Sequence, residues 1–115
     1  LEVGANVGVQ LLALAEMGFA RLHGIEIQRY AVSKARRALP GAGLVQASAF
    51  ALPFQDGAFE LVYTSGVLIH LAPTDLARTL DEIYRTSRRY IWGWEYDADE
   101  HREIPYRGRG ALMWK

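Results

Sequence analysis

The chain has no cysteine among its 115 residues, which excludes disulfides and any thiolate zinc site. It also lacks an excess of either charge. Thirteen Lys and Arg stand against thirteen Asp and Glu, so it presents no electrostatic footprint for DNA or RNA, and no nucleic-acid partner is expected. No apolar run reaches the ~18 residues of a membrane span, because Gln10 and Glu16 interrupt the most apolar region. His23, His70 and His101 are scattered along the chain, so no metal site is expected. Neither an internal repeat nor a signal-peptide pattern is read in it. What remains is a domain, half of whose residues are apolar, spanning 1–115 as one folding unit, and a reducing cytoplasm is its expected location.

Its most informative stretch comes first. Leu1-Glu2-Val3-Gly4-Ala5-Asn6-Val7-Gly8 sets an apolar strand end, an acid and two glycines ahead of Val7, Leu11, Leu14 and Ala15, which recur at helical spacing. Glycine takes positive φ and lets a backbone approach a ligand without a Cβ in the way. The pattern predicts a strand, a tight turn facing a nucleoside cofactor, and a buried helix. Spacing then discriminates between cofactors. Nicotinamide loops read G-x-G-x-x-G, but Asn6 stands at the second glycine position here and Val9 at the third. A G-x-(G/N)-x-G turn fits better, since Asn enters the left-handed region more readily than other non-glycine residues.

Further along, Arg21 to Ile27 reads as a second strand with an acid, Glu26, near its end and 18 residues beyond Gly8. An acid there accepts hydrogen bonds from ribose hydroxyls, or supports the N-terminus of the helix Gln28 to Ala38. Leu44 to Gln46 is a short third strand. A turn at Ser48, Ala49 and Phe50 follows, then Leu52-Pro53-Phe54-Gln55-Asp56-Gly57, whose Pro53 and Asp56-Gly57 form turns, and a buried strand through Phe59, Leu61, Val62 and Tyr63. Ser65 and Gly66 end that strand. The helix Thr74 to Ser87 is expected to bury Leu76, Leu80, Ile83 and Tyr84, with Asp81 paired to Arg85 on its wet side. Tyr90 to Tyr96 reads as a fifth strand.

These segments together resemble the Rossmann-like, class I S-adenosylmethionine-dependent methyltransferases: Glu2 to Gly8 as motif I, and Leu52 to Val62 as the family's LPF-x-DG-x-F-(D/E)-LV segment. The resemblance is closest to the pseudaminic acid biosynthesis-associated methylases, on Glu2 to Gly8, Gly24 to Ile27, Gly66 to His70 and Glu103 to Gly108. It implies a doubly wound, mostly parallel sheet in an α/β/α sandwich, here a truncated core of about five strands. It also implies S-adenosyl-L-methionine as cofactor, bound by Glu2, Gly4, Ala5, Asn6, Gly8, Glu26, Ile27, Ser48, Ala49, Phe50, Ser65 and Gly66. Where many members carry an acid for the adenine amino group, this chain has Ser48, a weaker acceptor. The implied acceptor is a small molecule, a nucleotide-activated or amino sugar of surface-glycan assembly.

Candidate groups for deprotonating such an acceptor are His70, then Glu95, then Tyr96. Tyr106, Arg107 and Arg109 lie in a Gly-rich stretch where two guanidinium groups suit a carboxylate or phosphate. Leu1 already falls within the first strand, and five strands account for the chain. A fragment without the family's N-terminal helices and last strands is therefore expected, its uncovered edge at Trp92, Trp94 and Tyr96 open to homo-oligomerisation. A nicotinamide-dependent oxidoreductase and a non-catalytic nucleoside-binding module are the alternatives.

Overall fold

The computed structural model describes residues 1–97 together with the backbones of strands 103–106 and 111–114. Glu2–Val3 (β1), His23–Glu26 (β2), Gly43–Gln46 (β3), Phe59–Ser65 (β4) and Ser87–Trp94 (β5) form one sheet in the order β3-β2-β1-β4-β5. Every pairing in it is parallel. Among the described residues the helices Val9–Glu16 (α1), Arg29–Ala38 (α2) and Pro73–Thr86 (α3) and the 3-10 turn Leu68–His70 lie between the strands. This is the doubly wound α/β architecture expected from the sequence.

Parallel strands require crossover connections and are normally covered on both faces. On one face Leu11, Val32, Ala35 and Leu39 from the α1 and α2 side pack with Ala5 and Leu44. On the other, Ile83 of α3 packs with Leu1, Val3, Ile25, Leu52 and Val62. Gly24 shows how closely the first layer approaches, since a Cβ there would stand 2.8 Å from both Ala5 Cβ and Leu11 Cδ1.

Several boundaries differ from the sequence-based expectation. The second strand starts at His23 rather than Arg21, although Leu22 already accepts the Gly43 amide. The fifth begins at Ser87, immediately after α3 ends at Thr86. The buried face of α3 is Thr79, Ile83 and Thr86, while Leu80 and Tyr84 are exposed. Threonine is admitted because its hydroxyl can satisfy itself on the preceding turn: Thr86 Oγ1 donates to Glu82 O at 2.8 Å and Thr79 Oγ1 to Asp75 O at 3.4 Å. Arg85 pairs with Glu82 and Asp56, not with Asp81.

The chain also continues past five strands. Glu103–Tyr106 (β6) and Ala111–Trp114 (β7) form a separate antiparallel hairpin. Among the described residues, Tyr90, Ile91, Trp92 and Trp94 of β5 are exposed. No helix among the described residues is long and apolar enough to cross a membrane.

Candidate functional site

Because the sheet is parallel, the C-terminal ends of all five strands share one rim. From β1 the chain winds to β2 and β3 on one side, then returns to β4 and β5 on the other. Ligands of open α/β sheets bind outside the strand ends at such a reversal, here between β1 and β4. A groove of about 590 Å³ lined by Asp56, Tyr84, Arg85, Arg88 and Ile91 lies elsewhere, at the start of β5. The topology, rather than the size of that groove, locates the site.

The turn after β1 has the backbone its sequence calls for. Gly4 has φ 78°, Asn6 φ 48° and Gly8 φ 85°, so all three alternate positions are left-handed, and Asn6 serves where a glycine is usual. The Cβ positions of both glycines point at protein. A Cβ on Gly4 would stand 2.5 Å from Val67 Cγ2, and one on Gly8 would meet Ala35 Cβ at 3.2 Å and Leu39 Cδ1 at 3.3 Å. Their role is to let the turn sit against β4's end and against α2. Gly4 and Ala5 both donate to Ile25 O, at 2.9 and 2.8 Å, which fastens the turn to β2.

Glu26 is 8 % exposed at the end of β2. Its Oε2 accepts the Asn6 amide at 3.0 Å and its Oε1 accepts the Gln28 amide at 2.8 Å. The carboxylate thus supports the start of α2, one of the two roles expected for it, and stands on the rim beside the turn. A carboxylate offers about four acceptor positions, so two amide bonds leave it able to receive hydroxyl groups. Ile27, next in the chain, is exposed.

Glu2 lies differently from expectation. It is 1 % exposed, within the sheet beneath the turn, and Tyr63 Oη donates to its Oε2 at 3.2 Å. Burial pushes its carboxyl up to about 7, against the opposing pull of the Tyr63 hydrogen bond. It does not stand on the rim with Glu26.

Beyond β3, residues 47–58 form neither helix nor strand. Ser48 Oγ accepts the Phe50 amide at 3.2 Å, an ST-turn, with Ala49 enclosed between them. What holds this segment is a charged stripe of α3 that sequence reasoning missed. Arg78 Nε donates to Phe50 O and its guanidinium lies 5.7 Å from the Phe50 ring centroid. Glu82 accepts the Leu52 amide at 2.6 Å. Arg85 donates to Leu52 O, Phe54 O and Asp56, and holds Glu82 through two bonds. These bonds, above all those from Arg85, hold the Glu82 carboxyl down to about 2.

At the end of β4, Ser65 Oγ accepts from Gln10 Nε2 at 3.0 Å, linking α1 to the rim. Gly66 has φ 64° with no atom within 4 Å of where a Cβ would sit, so its backbone conformation, not crowding, requires glycine. Glu95, just past β5, accepts the amides of Val67 and Leu68 with its two oxygens, each at 3.1 Å. His70 is exposed at the end of the 3-10 turn, and Tyr96 is exposed beside Glu95. Rim and turn thus bring together Gly4, Ala5, Asn6, Glu26, Gly66 and Glu95. Tyr106 lies in β6, but its side chain and the whole of Arg107 and Arg109 lie outside the described residues.

Comparison with known proteins agrees with this geometry. The family described as "Methyltransferase domain" matches residues 1–89. An uncharacterized methyltransferase of Synechocystis is 32 % identical over 85 residues, covering 74 % of this chain and 40 % of its own length. The 24-methylenesterol C-methyltransferase 2 of Arabidopsis thaliana is 32 % identical over 120 residues, covering 90 % of this chain and 33 % of its own. Among solved structures, a SAM-dependent methyltransferase of Methanosarcina mazei superposes with a TM-score of 0.70 at 24 % identity, over 75 % of this chain and 45 % of that one. The last likeness establishes fold alone. The chain spans 33–40 % of the length of the curated relatives it matches.

Proposed function

This chain belongs to the methyltransferase domain family, and from that premise we propose that it is the donor-binding part of an enzyme that methylates a small-molecule acceptor. The cofactor that family membership implies is S-adenosyl-L-methionine. The residues suit it. A buried carboxylate, Glu26, stands at the end of β2 with acceptor capacity to spare for two ribose hydroxyls, and this observation carries the reading. Ser48 and the Ala49–Phe50 turn lie beyond the end of the neighbouring strand β3, on the side where an attached base would fall. On the other side of the turn, Ser65 and Gly66 close the end of β4.

A bound sulfonium supplies an already activated methyl group, so the chain's own task is placement. Holding donor and acceptor in a near-attack arrangement contributes on the order of 7 to 11 kcal/mol. Glu26 fixes one end of the donor, the Gly66 turn forms a wall toward β4, and the left-handed backbone at Gly4, Asn6 and Gly8 lets the two approach each other. His70 and Tyr96, both exposed, are the groups we assign to an acceptor proton, while Glu95, which like Glu26 accepts one main-chain amide on each oxygen, serves first to hold the turn after β4. The acceptor we favour is an amino or nucleotide-activated sugar, on the resemblance of Glu2 to Gly8, Gly66 to His70 and Glu103 to Gly108 to sugar-pathway methylases. Arg107 and Arg109 would receive its anionic group.

Calorimetric titration with S-adenosylhomocysteine, with NAD as control and Glu26→Ala alongside, tests the donor reading. Saturable binding that Glu26→Ala weakens by about tenfold or more supports it. Binding of NAD alone would overturn it.

A further inference from the structure

Glu95 has an unusual job for a carboxylate on a catalytic rim. Its two oxygens accept consecutive amides, Val67 and Leu68, each at 3.1 Å. These amides open the 3-10 turn Leu68–His70, whose first N–H groups have no partner within the turn itself. The neighbouring Gly66 amide donates to Trp94 O at 2.9 Å, so three successive amides of this turn are bound to the end of β5. The grip extends further. Val67 lies directly over Gly4, close enough that even one added carbon on Gly4 would collide with it. Gly4 in turn is tied to Ile25 O, adjacent to Glu26.

We propose that Glu95 is a positioning residue for the donor: it fixes the Gly66–His70 turn and, through Val67, the height of the Gly4 turn above the sheet. The inference rests on the donor reading above. Its consequence for ligands follows from strand order. Glu26 stands at the end of β2 and the Glu95-held turn at the end of β4, on opposite sides of β1. A donor with its ribose at Glu26 therefore reaches the turn with its amino-acid end. Glu95 governs that end and leaves the nucleoside end alone.

Glu95→Gln is the informative substitution because it keeps the shape but can accept only one amide and turns a donor toward the other. S-adenosylhomocysteine affinity is expected to fall about tenfold, as for loss of a hydrogen bond to a charged group, while affinity for 5′-methylthioadenosine, which lacks the amino-acid end, stays within about twofold. Glu95→Asp, too short for both bonds, should behave like Glu95→Gln. Equal losses for the two ligands, or none for either, would overturn the proposal. Hydrogen exchange on the unaltered protein gives a check that needs no variant and no ligand: the Val67 and Leu68 amides should be protected, and exchange at the rate of a free chain would overturn the clamp. If neither nucleoside binds the unaltered protein, the donor reading has failed, and exchange still decides whether Glu95 holds the turn.

Discussion

Glu2 and Tyr63 meet across the first and fourth strands, the tyrosine hydroxyl donating to the carboxylate at 3.2 Å in a region where Glu2 is 1 % exposed. They are register partners in the parallel pairing of β1 with β4. A single hydrogen bond does not replace the water a carboxylate loses on burial, so the acid holds its proton until about pH 7.

The folded chain therefore binds a proton more tightly at Glu2 than the unfolded chain does, and between 4.5 and about 7 stability falls as pH rises. Above that window the penalty is constant. The shift corresponds to ~3 kcal/mol, and Glu2→Gln should remove most of this slope. Urea unfolding at several pH values, comparing slopes rather than absolute stabilities, measures it. Parallel curves for the two proteins between those limits would show that Glu2 is not the group responsible.

Glu82 works with the opposite sign. Its carboxyl is held down to about 2, chiefly by Arg85, so its contribution is fully present above 4.5 and is lost as pH falls toward 2. Glu82→Gln should flatten the acid limb and quicken hydrogen exchange at Leu52, whose amide it accepts. Arg85→Ala should loosen the same segment from Leu52 to Asp56, read as earlier proteolytic cleavage there. Unchanged cleavage would mean that the segment is held by its apolar contacts alone.

Gly4→Ala combines a strained positive φ with a 2.5 Å approach to Val67 Cγ2, and a loss of about 2 to 4 kcal/mol is expected. Adding Val67→Ala should recover the steric part and leave the conformational part. A double variant no more stable than Gly4→Ala would assign the whole loss to backbone strain.

Asn6→Gly should be nearly neutral at φ 48°, whereas Asn6→Val should cost about 1 to 3 kcal/mol because a β-branched residue resists that conformation. Thermal melting of the pair distinguishes them. Equal losses would point to the asparagine side chain rather than its backbone.

The same positions show what the sequence could reveal. The left-handed turn was legible because glycine and asparagine advertise φ directly, and Glu26 because a fixed interval separates it from that turn. Sheet and layers followed from apolar segments alternating with helical ones. Glu95's hold on the turn after β4 could not be read from the sequence, nor could Arg85's partners, Glu82 and Asp56, in place of the i,i+4 pair with Asp81. Apart from Glu82, one helical turn away, these partners lie 27 to 33 residues away, beyond any local pattern. The buried face of α3 was misplaced because Thr79 and Thr86 satisfy their hydroxyls on their own helix, so burial followed geometry where hydropathy favoured Leu80 and Tyr84. Glu2, which the resemblance assigns to the cofactor, is sunk into the sheet with its carboxylate against Tyr63 of β4.

The junction between Thr86 and Ser87 leaves no residue between helix and strand. Slack is thus absent from the one connection that joins the underside of the molecule, where Arg85 grips Asp56, to the rim, where Glu95 grips Val67. Side chains on a strand alternate faces with a period of two, and the pairing with β4 already slips by one residue between Ser87 and Tyr90. One extra residue that this irregularity did not take up would therefore turn every later side chain of the strand over and carry the Glu95 carboxylate away from its amides. Length at this point is as much a determinant of the rim as any side chain on it.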